Sequence, residues 1–171
     1  TFPCLPFRSL RELGCVTSDP VAASPAVAAS GMGRPTAREA ASAEEVPVGA
    51  IVVLDGEILG VGRNRVEERR SPLAHAEMEA LQSALAKVGE KRLPEAELYC
   101  TLEPCFLCAG AILHTRVKRV VFGARDPKFG AVRSLATVLE DERLNHRCEV
   151  VEGVGAADSA ELLRAFFRRR R

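Results

Sequence analysis

SPLAHAEMEA, Ser71 to Ala80, is the stretch on which the reading of this chain turns. His75 and Glu77 stand two residues apart at the head of a helical pattern, with Leu81, Ala84, Leu85 and Val88 recurring at spacings of three and four. Inside a helix, residues i and i+2 point about 200° apart and cannot serve one site. Pro72 blocks a helix from running in from upstream, so both residues fall in the first turn. Around an open helix end, side chains converge on a point ahead of the axis and need not share a flank. Alone, a first-turn glutamate is equally well read as a partner of the helix dipole.

A second stretch gives the pair its meaning. In TLEPCFLCAGAILH, Thr101 to His114, Pro104 suits the first helical position, where its missing N–H costs nothing. Cys105 and Cys108 are then one turn apart, at the end of a helix whose free N–H groups and dipole favour thiolates. Two such thiolates suit zinc, with Zn–S near about 2.3 Å. A lone Cys-x-x-Cys is also compatible with redox or structural roles. If the two helix starts abut, however, His75, Cys105 and Cys108 make a three-ligand site with Glu77 beside the metal. Three protein ligands plus water is the catalytic arrangement, because structural zinc usually takes four. Such zinc lowers the pKa of its water to about 7, and an adjacent carboxylate can relay the proton. Cys100, Cys148, His114 and His146 are the spare donors; Cys100 and Cys148 read as buried strand thiols and His114 as a helix-end residue. No fourth protein ligand is expected.

Working outward, the chain alternates. A short helix is expected over residues 36–45, ended by Pro47, and a buried strand over 48–54. Asp55-Gly56 signals a type I′ hairpin turn, with the returning strand over 57–61. Further helices are expected over 74–88, 104–114, 135–140 and 157–167, and strands over 96–101, 117–122 and 147–151. This order predicts an α/β fold, a three-layer α/β/α sandwich in which a mixed five-stranded sheet carries helices on both faces.

The 171 residues, 47% hydrophobic and 27% charged, fit one globular domain with a tail. Residues 1–32 are rich in Ala, Ser and Pro and are expected to form a disordered extension, with the domain over 33–171. Met32 stands where that composition ends and is a candidate natural start. Six unevenly spaced cysteines do not make a disulfide framework, so the chain reads as reduced and intracellular. No apolar run approaches the roughly 20 residues of a membrane span.

A net charge of +1 excludes general polyanion stickiness, but the charge is uneven. Arg116, Lys118, Arg119, Arg125, Lys128 and Arg133 face one acid, Asp126, between residues 114 and 133. Arg164 and Arg168 to Arg171 close the chain. Two local phosphate-contacting patches are therefore expected, although for any single residue a solvated surface arginine is the better reading.

The H-x-E…P-C-x-x-C pattern is the zinc deaminase signature. With EEVPVGAIVV, GRNRVEE, TLEPCFLCAGAILHTRVKRVVFGARDPKFGA, RLNHR and LLRAFFRRRR, the chain from about Ala37 to Arg171 resembles the bacterial-type tRNA-specific adenosine deaminases of the cytidine deaminase superfamily. The resemblance implies zinc on His75, Cys105 and Cys108, and Glu77 as proton shuttle in hydrolytic conversion of adenosine to inosine at a tRNA wobble position. It implies that the backbone at Ala76 stabilises developing charge, that Asn64 hydrogen-bonds the target base, and that Val46, Pro47 and Leu102 wall its pocket. It further implies that Asp126 contacts the sugar, Lys128 and the C-terminal arginines meet phosphates, and Phe166 or Phe167 packs near the anticodon bases. A cytoplasmic homodimer acting on a tRNA anticodon stem-loop, with no membrane association, follows from the same likeness.

Two departures stand out. AREAASAEE offers mainly alanine where the family usually places long apolar residues. Phe129 stands where a small residue is usual. The competing readings are a deaminase of a free base or nucleoside, of guanine or cytosine type, and a non-catalytic zinc-stabilised RNA-binding module.

Overall fold

The computed structural model describes residues 25–170, and side chains over 33–170. Helix α1 (Pro25–Ser42) is followed by strands β1 (Gly49–Leu54) and β2 (Glu57–Arg63) and a four-residue helix α2 (Val66–Arg69). Then come α3 (Ala76–Val88), β3 (Glu97–Leu102), α4 (Phe106–Thr115), β4 (Arg119–Ala124), β5 (Glu149–Glu152) and α5 (Ala156–Arg168). A single 3-10 turn, Val138–Glu140, stands in place of the helix expected over 135–140.

The strands form one sheet in the order β2-β1-β3-β4-β5. β1 runs antiparallel to both β2 and β3, whereas β3, β4 and β5 run parallel. The sheet is thus mixed and five-stranded, as expected. Every residue of β1 is buried, so its GAIVVL run shows no alternation; strands covered on both faces read this way. Asp55 and Gly56 both have positive φ, 51° and 81°, as the type I′ hairpin requires.

The larger core cluster lies where α3 and α4 cover the sheet. Val52, Leu98, Val120 and Phe122 meet Ala80, Ala84, Ile112 and Leu139 there. The opposite face carries Ile51, Val53, Tyr99 and Val121, covered by α1 and α5. The sheet therefore has helices on both faces. Two glycines allow α3 to lie directly on the hairpin: a Cβ on Gly60 would stand 2.2 Å from the Ala80 carbonyl oxygen, and one on Gly62 2.1 Å from that of Ala76. This close approach sets the head of α3, and with it His75 and Glu77, against the end of β2.

The first helix departs from expectation at both ends. It was expected over 36–45; α1 begins at Pro25 and ends at Ser42. The stretch expected to be disordered lies outside the described residues over 1–24, while residues 25–32 belong to α1. The Ala-rich composition that reads as low complexity is also the composition with the highest helix propensity. Its small side chains, Ala37 among them, leave an open groove of ≈ 370 Å³ between α1 and α5, lined also by Arg34, Arg38, Asp158 and Leu162.

Candidate active site

The two helix starts abut. His75 occupies the position before α3 and Cys105 the position before α4, both in extended conformation, and Cys108 lies in the first turn of α4. Pro104 thus precedes the cap instead of opening the helix; Cys105, extended at φ −75° and ψ 174°, is the cap residue. His75 Nδ1 lies 3.5 Å from the Sγ of Cys105 and 3.5 Å from that of Cys108. Among the described residues, these three form the one group able to hold a metal ion, their donor atoms all within 4.8 Å of one another.

The donor set fits zinc. Bonds of about 2.3 Å to sulfur and about 2.0–2.1 Å to nitrogen at a tetrahedral angle separate S and N by about 3.6 Å, close to both distances found. None of the spare donors joins the group. Cys100 Sγ lies 3.8 Å from the Val121 carbonyl oxygen, and Cys148 Sγ lies 3.1 Å from that of Val117. His146 Nε2 contacts the same Val117 oxygen at 2.8 Å.

The electrostatics suit a cation. The Cys108 hydrogen bond, helped by His75, pulls the Cys105 thiol down to about 4, while Cys108 retains the shared proton and is pushed up. His75 is raised, first by its hydrogen bond with Cys105. Glu77 is 4% exposed, and burial pushes its carboxyl up to about 7 before any cation is placed beside it. A carboxyl poised near neutrality can both take and return a proton.

The remaining candidates fall into two groups. Asn64, at the end of β2, is buried; its N–H donates to Val48 O at 3.0 Å, and the next residue, Arg65, donates to Ala74 O at 2.9 Å. Asn64 and the Val46-Pro47-Val48 segment therefore meet beside the head of α3. Val46 and Leu102 are partly buried at the edge of the core, whereas Pro47 is fully buried. Ala76, 0% exposed, opens α3, where backbone N–H groups lack intrahelical acceptors.

The second group lies on residues 126–134. Asp126 Oδ1 accepts from the N–H of Lys128 at 2.9 Å and of Phe129 at 3.2 Å, so its carboxylate shapes its own loop. Gly130 bridges to Cys105, which sets the exposed Phe129 at the rim of the metal site. At the far end, Phe166 is buried and Phe167 half exposed, their rings edge to face with centroids 5.3 Å apart. Arg170 stacks on Phe166 at 4.6 Å and donates to the Glu44 carbonyl, bringing the end of α5 beside the Glu45-Val46-Pro47 segment. Arg171 lies outside the described residues.

Two buried carboxylates beside the site had no clear mark in the sequence. Glu103, 2% exposed, accepts from the N–H groups of Asp126 (2.9 Å), Val132 (3.1 Å), Arg133 (2.6 Å) and Ser134 (2.8 Å), and from the Ser134 hydroxyl. Against the cost of burial, these bonds hold its carboxyl below the ordinary range. It ties the loop carrying Asp126 and Lys128 to the start of α4. Glu45, 1% exposed, accepts from Asn64 Nδ2 at 3.1 Å. The only local signal was an acid directly preceding each cysteine or valine motif.

Within the basic stretch, most side chains are paired with carboxylates, as the simpler surface reading has it. Lys118 pairs with Glu95, Arg119 with Glu97 and Glu149, Arg125 with Glu152, and Arg133 with Glu140. Among the described residues, only Arg116 and Lys128 of the six have no carboxylate partner. The neutralising acids are distant in sequence and adjacent only across strands and turns.

Comparison with known proteins agrees with this geometry. The chain matches the MafB19-like deaminase family over residues 28–171. The tRNA-specific adenosine deaminase of Streptococcus pyogenes serotype M1 is 47% identical over 127 residues, covering 74% of each chain. That of Bacillus subtilis (strain 168) is 46% identical over 132 residues, 77% of this chain and 82% of its own. Among solved structures, a chain from work on A-to-I editing by tRNA:A34 deaminases at the wobble position superposes with a TM-score of 0.77 at 40% identity. It covers 80% of this chain and 99% of that one. A guanine deaminase from Nitrosomonas europaea superposes with a TM-score of 0.73 at 26% identity, over 85% of each chain. On motif, fold and relatives alike, the chain belongs to the family of the tRNA-specific adenosine deaminases.

Proposed function

We propose that this protein hydrolyses adenosine to inosine at the wobble position of a tRNA anticodon, with the arginine tRNA whose anticodon starts with A as substrate. The observation that carries the proposal is the convergence of His75, Cys105 and Cys108 beside the buried carboxyl of Glu77. His75, Cys105 and Cys108 would hold one zinc ion, which when bound supplies the Lewis acidity that makes water a competent nucleophile near neutral pH.

Glu77 takes the proton of the attacking water and delivers it to adenine N1. The water oxygen bonds to C6; Glu77 then takes the remaining proton of the new C6 hydroxyl and passes it to N6, so that the C6–N6 bond breaks, ammonia departs and the C6 carbonyl of inosine forms. The N–H at Ala76, at the positive end of α3, stabilises negative charge as it develops. Asn64 hydrogen-bonds the base, and Val46, Pro47 and Leu102 wall its pocket. Asp126 meets the sugar, Lys128 the phosphates, and Phe167 the anticodon bases. The base must leave its stack to reach so recessed a carboxyl.

A homodimer is part of this reading, supported by the exposed Phe106 and Leu107 at the start of α4. No helix among the described residues is long and apolar enough to cross a membrane; a cytoplasmic location is part of the same proposal. A second reading, deamination of a free purine, is favoured only by the guanine deaminase superposition. Inosine formation in an anticodon stem-loop, with free adenosine and guanine run beside it, tests both. Turnover of the stem-loop alone is expected; turnover of guanine alone overturns the proposal.

A further inference from the structure

Glu45 lies against Asn64 in a manner that constrains more than its backbone. Glu45 Oε2 accepts from Asn64 Nδ2 at 3.1 Å, and Oε1 accepts from the Glu68 N–H at 2.8 Å. A carboxylate that accepts at both oxygens offers no donor. Only one orientation of the Asn64 amide satisfies it, with Nδ2 toward Glu45. Rotating the amide by half a turn would set oxygen against oxygen in a buried contact. Of the neighbouring carboxylates, Glu68 is engaged by Arg63 and Arg65, and Glu79 by Arg65 and Arg69.

An unconstrained asparagine presents oxygen and nitrogen in either order, since the two ends have the same shape. With Nδ2 held by Glu45 and the backbone N–H held by Val48 O, the carbonyl oxygen and the second amide hydrogen of Asn64 are fixed in direction. We propose that Glu45 is a positioning residue that locks the Asn64 amide one way round and so sets the donor–acceptor pattern by which the target base is recognised. This rests on Asn64 as the base contact of the proposed function. A base whose groups complement that pattern gains two hydrogen bonds. The same base before a reversed amide meets acceptor with acceptor and donor with donor, the kind of mismatch by which polar sites discriminate strongly.

The alternative is that Glu45 matters only as the acceptor for the Glu68 N–H, holding α2. Glu45→Gln separates the two in the zinc-loaded protein. Glutamine keeps the length and an acceptor for Glu68 but brings amide hydrogens of its own, so Asn64 is satisfied either way round. The expected result is a KM for the anticodon stem-loop raised roughly tenfold, with kcat much less affected and zinc content retained. In an Asn64→Ala background the same substitution should leave kcat/KM unchanged, because nothing remains to be oriented. Equal losses in both backgrounds, or wild-type kinetics for Glu45→Gln, would overturn the lock.

A readout that needs no substrate accompanies these. The Asn64 side-chain amide should show one exchange-protected hydrogen in the 15N spectrum, lost in Glu45→Gln. Protection that persists in the variant refutes the lock. Absence of stem-loop turnover by the unaltered protein, with the protected hydrogen present, defeats the proposed function and leaves the lock standing.

Discussion

His75 Nδ1 stands 3.5 Å from the sulfurs of both Cys105 and Cys108, although 30 and 33 residues separate them along the chain. The glycines of β2 draw the head of α3 down, β3 delivers the head of α4 beside it, and the donors meet between the two helix ends.

Removal of one donor should empty the site. His75→Ala is expected to lower bound zinc from one per chain to a small fraction, read by elemental analysis, and to abolish deamination. Chelation of the unaltered protein should have the same effect, reversed by zinc and not by magnesium, because thiolates favour the softer ion. Retention of full zinc by His75→Ala would remove histidine from the ligand set.

Glu77→Gln should separate binding from chemistry. A general acid–base group contributes roughly 10²–10⁴-fold, so kcat should fall by that order while zinc and stem-loop binding persist. A fall in RNA affinity of the same size would reassign Glu77 to substrate binding.

The same carboxyl gives a pH signature in the metal-free protein. Its folded value, about 7, lies above the ordinary 4.5 because burial disfavours the charge. The stability it lends is fully present below about 4.5 and is lost as pH rises through 7. Metal-free wild type should therefore lose, relative to metal-free Glu77→Gln, on the order of 3 kcal/mol across that window. Urea titrations of both at pH 4.5 and 8 test this; parallel pH curves would contradict it.

Glu103→Ala should destabilise the fold, since four backbone N–H groups lose their acceptor. A cost of roughly 2–4 kcal/mol is expected after water replaces part of the loss, seen as a lower urea midpoint. Glu103→Gln should cost less. An unchanged midpoint for Glu103→Ala would mean that the loop over 126–134 is held by other contacts.

Phe129, exposed and one residue from the bridge to Cys105, is placed to stack on a base beside the target. Phe129→Ala should raise KM for the stem-loop roughly tenfold, within the range of base–aromatic stacking, and leave zinc content alone. A change of oligomeric state by sedimentation, with KM unchanged for the remaining dimer, would assign Phe129 to the subunit interface instead.

Much of this protein was legible in its sequence because it is written locally. The hairpin follows from the φ demands of Asp55-Gly56, the buried strand from the apolar run of β1, and α3 from apolar recurrence at three and four residues. The ligands follow from residue chemistry at two helix starts marked by Pro72 and Pro104. Each of these signals spans fewer than about 20 residues, the range over which backbone preference and periodicity act.

What only the tertiary structure decided depends on partners far apart in the chain. The basic stretch from Arg116 to Arg133 is largely neutralised by Glu95, Glu97, Glu140, Glu149 and Glu152, which only strand pairing and turns bring near. Nothing local marks Glu45 or Glu103 as buried, yet each is buried because donors 19 to 31 residues away close over it. A charge is buried or exposed according to what folds onto it. The chemistry of the site was therefore visible in its residue types, and its orientation was settled by the contacts that folding makes.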